Sequence, residues 1–179
     1  DEPCVVTLST SGQIGRSPVD GAKRATPGRH DVLLASLVTR TTAALTAVTS
    51  DGRALQVTAA ELADGAGRAR GAGAAQAFGT NRGEVIHTVV AEGDENLVVV
   101  TANGVAKRLT QDEVGATRSG KPLLKLRPGD RVVAAFTAHD GVDLVIVASD
   151  GQALRTPVDA VSVQGRGAAG VAGMKLRSG

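Results

Sequence analysis

The sequence predicts an all-β fold, a propeller-like array of about four repeated small sheets, on three observations. Four stretches align under one another: VVTLSTSGQIGRSPVD, LTAVTSDGRALQVTAAE, VVVTANGVAKRLTQDE and VIVASDGQALRTPVD. Each joins two apolar runs through a turn pair, Ser11-Gly12, Asp51-Gly52, Asn103-Gly104 or Asp150-Gly151, and Asn-Gly and Asp-Gly are the strongest short-range hairpin signals. The turn glycines recur 40, 52 and 47 residues apart, a period of blade-like or solenoid units whose sheets need neighbours to bury their faces.

Each element follows from local chemistry. The turn pairs predict type I′ turns, with positive φ at both central residues. In every second strand a Ser or Thr is followed three residues later by an acid: Ser17 and Asp20, Thr58 and Glu61, Thr110 and Glu113, Thr156 and Asp159. That capping-box pattern predicts one short helical turn after each hairpin. Between hairpins stand further alternating or apolar runs, residues 32–40, 85–93 and 131–139, which give each unit a third strand, with a fourth expected. The chain then reads as a single repeat domain over 1–179, with approximate repeats 4–31, 32–84, 85–130 and 131–179. The last repeat, with no such run after it, is expected to borrow a strand or to be incomplete.

The segments that follow the hairpins carry the functional signal. They are GAKRATPGR (21–29), GAGRARGAGAAQAFGTNRG (65–83), GATRSGKPLLKLR (115–127) and QGRGAAGVAGMKLRSG (164–179). Together they hold 13 of the 20 Lys and Arg and none of the 18 Asp and Glu, so the rest of the chain has a net charge of −11. The overall charge of +2 conceals this segregation. If the repeats surround an axis, one slot of every repeat falls on one rim and forms a positive track for a polyanion. Glycine-rich loops allow close backbone approach, and the guanidinium fork grips phosphate. The residues expected to meet phosphate are Lys23, Arg24, Arg68, Arg70, Arg118, Lys121, Arg166 and Lys175, joined by Lys107 and Arg108 at the end of a hairpin strand.

Other chemistries fit poorly. Gly165, Gly167 and Gly170 have the spacing of a dinucleotide cradle, but no helical stripe follows them and no acid lies downstream. With no Tyr or Trp and only Phe78 and Phe136, base stacking is nearly ruled out. The lone Cys4 excludes an internal disulfide, and His30, His87 and His139 are too dispersed for a local metal motif. No cofactor and no catalytic residue is expected. No apolar run is long enough for a membrane helix, and DEPCVVTLST has no basic leader. The alternative is a repeat scaffold for protein–protein interaction, against which stands the dearth of aromatic anchors.

The hairpins GQIGRSP, GVAKRLT and GQALRTP, each followed by a basic glycine-rich segment, resemble the repeats of the C-terminal β-pinwheel of bacterial type IIA topoisomerase A subunits, those of DNA gyrase and topoisomerase IV. The resemblance runs from Cys4 to Gly179. It implies four-stranded blades that exchange strands, a basic rim that bends or wraps duplex DNA, and catalytic groups located in other domains or subunits. It further implies an isolated domain that is monomeric and non-catalytic, a bacterial cytoplasmic, nucleoid-associated setting without membrane attachment, and partnership with the rest of its own topoisomerase chain and the ATPase subunit. The gyrase branch carries a heptad, Q-[RK]-R-G-G-[RK]-G. Gln164, Arg166, Gly167 and Gly170 fall on it, while Gly165, Ala168 and Ala169 depart from it. TRSGKPLLKLRPGDRV is similar to a topoisomerase IV stretch, so the resemblance leans toward a topoisomerase IV A subunit or a gyrase paralogue with a decayed box.

Overall fold

A computed structural model describes residues 1–20, 29–64 and 72–176. The first hairpin is β1 (Pro3–Ser9) and β2 (Gln13–Pro18), followed by β3 (Leu33–Arg40). The second is β4 (Ala44–Thr49) and β5 (Ala54–Thr58), followed by the short β6 (Ala72–Gly73), the helix α1 (Ala74–Phe78) and β7 (Ile86–Val90). The third is β8 (Asn96–Thr101) and β9 (Val105–Leu109), then α2 (Gln111–Gly115) and β10 (Val132–Ala138). The fourth is β11 (Asp143–Val147) and β12 (Ala153–Pro157), with β13 (Val171–Ala172) beyond it.

The sheets do not follow chain order, because strands are exchanged. The first sheet runs β3-β1-β2-β6 and the third runs β10-β8-β9-β13, all antiparallel. The second runs β7-β4-β5 and is extended by a bridge between Arg53 and Pro122. Each complete sheet therefore takes its hairpin from one repeat, one edge strand from the run that follows, and the opposite edge from the segment after the next hairpin. The edge strands pack in the order β3, β7, β10, and His87 Nε2 on β7 donates to Val132 O on β10 at 2.9 Å. They form the inner side of the array. The fourth hairpin is a two-stranded sheet among the described residues.

Alternation along the strands builds the core between sheets. Val6, Leu8, Ile14, Leu45 and Leu55 join the first two sheets, and Leu97, Val99, Leu109, Leu123 and Leu124 pack against Val48 of the second. Val98 and Val100, on the opposite face of β8, bury Leu144, Val158 and Val161 of the fourth repeat. A strand buried on both faces reads as a continuous apolar run, which is the character of NLVVVT in β8.

The hairpin turns differ from type I′. Gly12, Gly52, Gly104 and Gly151 have φ of 74°, 72°, 76° and 85°, but among the described residues His30 is the only non-glycine with positive φ. Each glycine N–H instead closes on the carbonyl three residues back, as in Gly12 to Ser9 at 2.9 Å and Gly104 to Thr101 at 3.0 Å. This is a type I turn closed by an αL glycine, in which Ser11, Asp51, Asn103 and Asp150 sit in the turn's ordinary negative-φ position.

The helical turns after the hairpins form in three repeats. Thr58 and Glu61 make a reciprocal capping box around a 3₁₀ turn, and Thr110 Oγ1 caps α2 by accepting from Glu113 N. In the fourth repeat the 3₁₀ turn Val158–Ala160 starts from Pro157, which stands six residues after the turn glycine as Thr58 and Thr110 do, and Asp159 accepts from Arg108 instead of closing a box with Thr156. After the first hairpin no helical turn forms among the described residues. The helix α1 lies in a segment that reads as loop in the sequence; its alanines favour helix, and Ala74 and Phe78, four apart, are both buried.

Gly104 shows what the strand exchange demands. A Cβ there would stand 2.4 Å from the carbonyl oxygen of Met174, in the segment crossing back from the fourth repeat, whereas at Gly12 nothing lies within 4 Å. Both have positive φ, so Gly12→Ala is expected to cost only the left-handed penalty of roughly 1–2 kcal/mol. Gly104→Ala adds overpacking of roughly 1–3 kcal/mol. Urea unfolding of the two variants side by side measures the difference.

Candidate nucleic-acid interface

The basic segments are fixed to the sheets by backbone bonds in a repeated register. The carbonyl of Gly12 accepts from Ala74 N at 2.7 Å, that of Gly52 from Leu123 N at 2.7 Å, and that of Gly104 from Gly173 N and Met174 N at 2.9 and 3.0 Å. Ala74, Leu123 and Met174 are all buried. The described parts of these segments, 72–83, 115–127 and 164–176, thus dock, through equivalent anchors, on the edge opposite β3, β7 and β10. In the third segment Leu123 and Leu124 are 0% and 2% exposed while their neighbours Lys121 and Lys125 are exposed. The two adjacent leucines anchor the segment while the flanking lysines stay in solvent.

The predicted residues divide into three groups. Arg118, Lys121 and Lys175 are exposed on these outer segments. Arg166 is also exposed, with Nε 3.3 Å from Glu113 Oε2 and Nη1 donating to Ala116 O at 3.3 Å. Lys23, Arg24, Arg68 and Arg70 lie outside the described residues. Lys107 and Arg108 are turned inward, contrary to the expectation that they join the track. Arg108 is 7% exposed, and its Nη1 donates to Asp140 at 2.8 Å and Asp159 at 3.0 Å, fastening the fourth repeat to the third sheet. The hydrogen bond from Arg108 holds the Asp159 carboxyl below its usual range. Lys107 is 0% exposed, and burial pushes its ammonium down to about 8, with the charge of Glu113 opposing.

The box-like residues have structural surroundings. Gln164 N donates to Arg108 O at 2.9 Å. Gly170, at φ 87°, passes so close to β9 that a Cβ would meet Val105 Cγ1 at 2.6 Å and Ala106 O at 2.9 Å, while Gly167 has open space around it. No helix starts at these glycines; they lead into the outer strand β13.

Sequence reasoning missed the acids that clamp the turns. Asp31, Glu84 and Asp130 each stand two residues before an inner strand, β3, β7 or β10. Asp31 accepts from Ser11 N, Ser11 Oγ and Thr10 Oγ1; the Ser11 bond, against the cost of burial, holds its carboxyl well below the carboxylate range. Asp130 accepts from Asn103 N at 3.0 Å. Glu84 accepts from Arg53 Nε at 2.9 Å, from Arg53 Nη2, and from Asn81 N at 2.8 Å. Burial alone would raise the Glu84 carboxyl; the Arg53 hydrogen bonds, then Thr49 and Asn81, bring it down to about 2. Their recurrence at a fixed offset was the available signal.

The inner side has the opposite character. Between β3, β7 and β10 lies a cleft of about 410 Å³, bordered by Leu37, Thr88, Phe136 and the acidic loop Glu92, Asp94 and Glu95. That acidity disfavours a polyanion on the inner side. Among the described residues no group of His, Cys, Asp and Glu could hold a metal ion, and no helix is long and apolar enough to cross a membrane.

Antiparallel sheets that exchange strands with their neighbours, with inner edges gathered together and basic segments on the outer edges, define a β-pinwheel. Residues 95–139 and 143–179 match the family of the DNA gyrase C-terminal domain, beta-propeller. Over those residues and in its fold the chain is similar to the C-terminal β-pinwheels of type IIA topoisomerase A subunits, the group of gyrase A and topoisomerase IV. It is 28% identical to the DNA gyrase A protein of Staphylococcus aureus over 100% of this chain and 22% of that protein, and 28% identical to that of Mycolicibacterium smegmatis over 98% and 23%. It thus spans under a quarter of those relatives. The solved C-terminal domain of DNA topoisomerase IV superposes with a TM-score of 0.85 at 28% identity, covering 99% of this chain and 58% of that one. The E. coli ParC C-terminal domain, at 20% identity and a TM-score of 0.72 over 96% of this chain and 71% of that one, shares the fold.

Proposed function

We propose that the chain is the DNA-binding domain of a type IIA topoisomerase A subunit, which carries no chemistry of its own and bends or wraps duplex DNA along its basic outer edge. In the whole enzyme it would work with the rest of its own chain and with the ATPase subunit, guiding which DNA segment reaches the strand-passage gate during supercoiling, relaxation or decatenation. The observation that carries the reading is the repeated anchorage of glycine-rich, acid-free segments on equivalent sheet edges through the carbonyls of Gly12, Gly52 and Gly104.

The cations on those edges replace counterions condensed on the duplex, so binding is dominated by phosphate contacts. Such contacts position DNA without reading bases, and sequence preference is weak. The curvature of the rim bends the duplex at an elastic cost of a few kcal/mol, about what phosphate contacts along the track can offset.

The test is a binding titration of linear duplex across a salt series. If about six phosphates are neutralised, log K falls against log salt with a slope of roughly −5. Salt-independent binding, or none at low salt, overturns the reading. Linking number measured on relaxed circles closed with bound domain then separates wrapping from bending.

A further inference from the structure

Lys107 is the one described lysine that is fully buried, and its surroundings go beyond satisfying a stray charge. Nζ donates to Leu123 O at 2.8 Å, Ala168 O at 2.9 Å and Arg166 O at 3.0 Å. Three N–H donors meet three carbonyls, the full capacity of an ammonium. The acceptors come from two different basic segments: Leu123 from 115–127, Arg166 and Ala168 from 164–179. Gly170 lets the second segment pass over the same side chain, since a Cβ at that glycine would stand 3.4 Å from Lys107 Cβ. At the corresponding place, three residues after the turn glycine, the other hairpins have Gly15, Leu55 and Leu154. Only the third sheet has a cation there, and it reaches across to both neighbouring outer segments.

We infer that Lys107 is a positioning residue that sets the spacing of two successive DNA-contacting segments, so that Arg118 and Lys121 on one and Arg166 and Lys175 on the other engage a single duplex. The inference rests on the DNA-binding reading for its consequence, but the pinning itself can be measured without DNA. A buried ammonium saturated by backbone carbonyls ties loops rigidly, because releasing it strands a charge in a region of low dielectric.

The first experiment uses the wild-type chain. Under limiting acylation Lys121, Lys125 and Lys175 react and Lys107 does not; duplex slows the three and leaves Lys107 unchanged. Acylation of Lys107 as fast as Lys121 overturns the inference. The second uses spin labels at Ser119 and Ala169, both exposed. Their distance distribution is narrow in the parent and broadens in Lys107→Leu, the residue that the second and fourth hairpins already accommodate. An unchanged distribution overturns the inference. Where the variant remains folded by circular dichroism, the salt slope of duplex binding drops by roughly 1.8, the loss of two contacts from the displaced segment. A drop of roughly 0.9 marks Lys107 as a direct phosphate contact, and no change marks it as merely structural; either contradicts the assignment. If the parent binds no duplex, the functional reading fails, while the acylation and distance results still judge the pinning.

Discussion

Replacing Glu84 with Gln destabilises the domain by about 3 kcal/mol, the largest loss expected from any single neutralisation here. The carboxylate side chain is 1% exposed and forks onto Arg53, itself only 23% exposed. Removing one member of a buried pair leaves the other charge uncompensated, typically a cost of about 3–5 kcal/mol. The depressed carboxyl of Glu84 gives a matching figure. A carboxyl brought to about 2 in the folded chain, from 4.5 when unperturbed, contributes about 3 kcal/mol at about 1.36 kcal/mol for each factor of ten. Because the folded value is depressed, this stability is fully present above about pH 4.5 and lost as pH falls toward 2. Unfolding by urea at about pH 7 and about pH 3 checks both: the difference between parent and Glu84→Gln narrows at the lower pH. Equal differences at both would show that the ion pair does not set this stability.

The largest effect on binding comes from four exposed cations on the outer edge. Replacing Arg118, Lys121, Arg166 and Lys175 together by Gln should change the salt slope from roughly −5 to roughly −2 and weaken binding by roughly a thousandfold at about 0.1 M salt. Folding stability should move little. The four are exposed, and the pair of Arg166 with Glu113 is of the surface kind worth about 0–1 kcal/mol. Fluorescence anisotropy with labelled duplex, alongside thermal unfolding, reads both quantities. Binding unaffected by all four changes would place the DNA elsewhere or nowhere.

The repeat was legible because hairpins are specified locally: a glycine that can enter the αL region between two apolar runs leaves few alternatives. The same local signal misjudged the turn type, since Asp-Gly and Asn-Gly serve equally at the last two positions of a type I turn closed by glycine. Strand exchange was not legible from hydrophobic pattern. The two-residue pairings of β6 and β13 are held by backbone bonds to Gly12 and Gly104 that leave no such pattern in the sequence. Charge segregation, which depends on composition, marked the segments on which Arg118, Lys121, Arg166 and Lys175 are exposed. It failed at Lys107 and Arg108, where adjacency to a basic slot in sequence hid the fact that β9 is buried on both faces. Burial is a property of neighbours from the next repeat, and a residue's own flank does not report it.

The central claim is that separate cationic segments share one edge along which a single double helix runs. Photo-cross-linkers on cysteines introduced singly at Lys121, Arg166 and Glu92 test this directly, Cys4 being buried. Positions 121 and 166 are expected to cross-link to different phosphates of the same linear duplex, and position 92, on the inner side, is expected not to. Cross-linking from position 92 as strong as from the other two, or from one outer position alone, would contradict the claim.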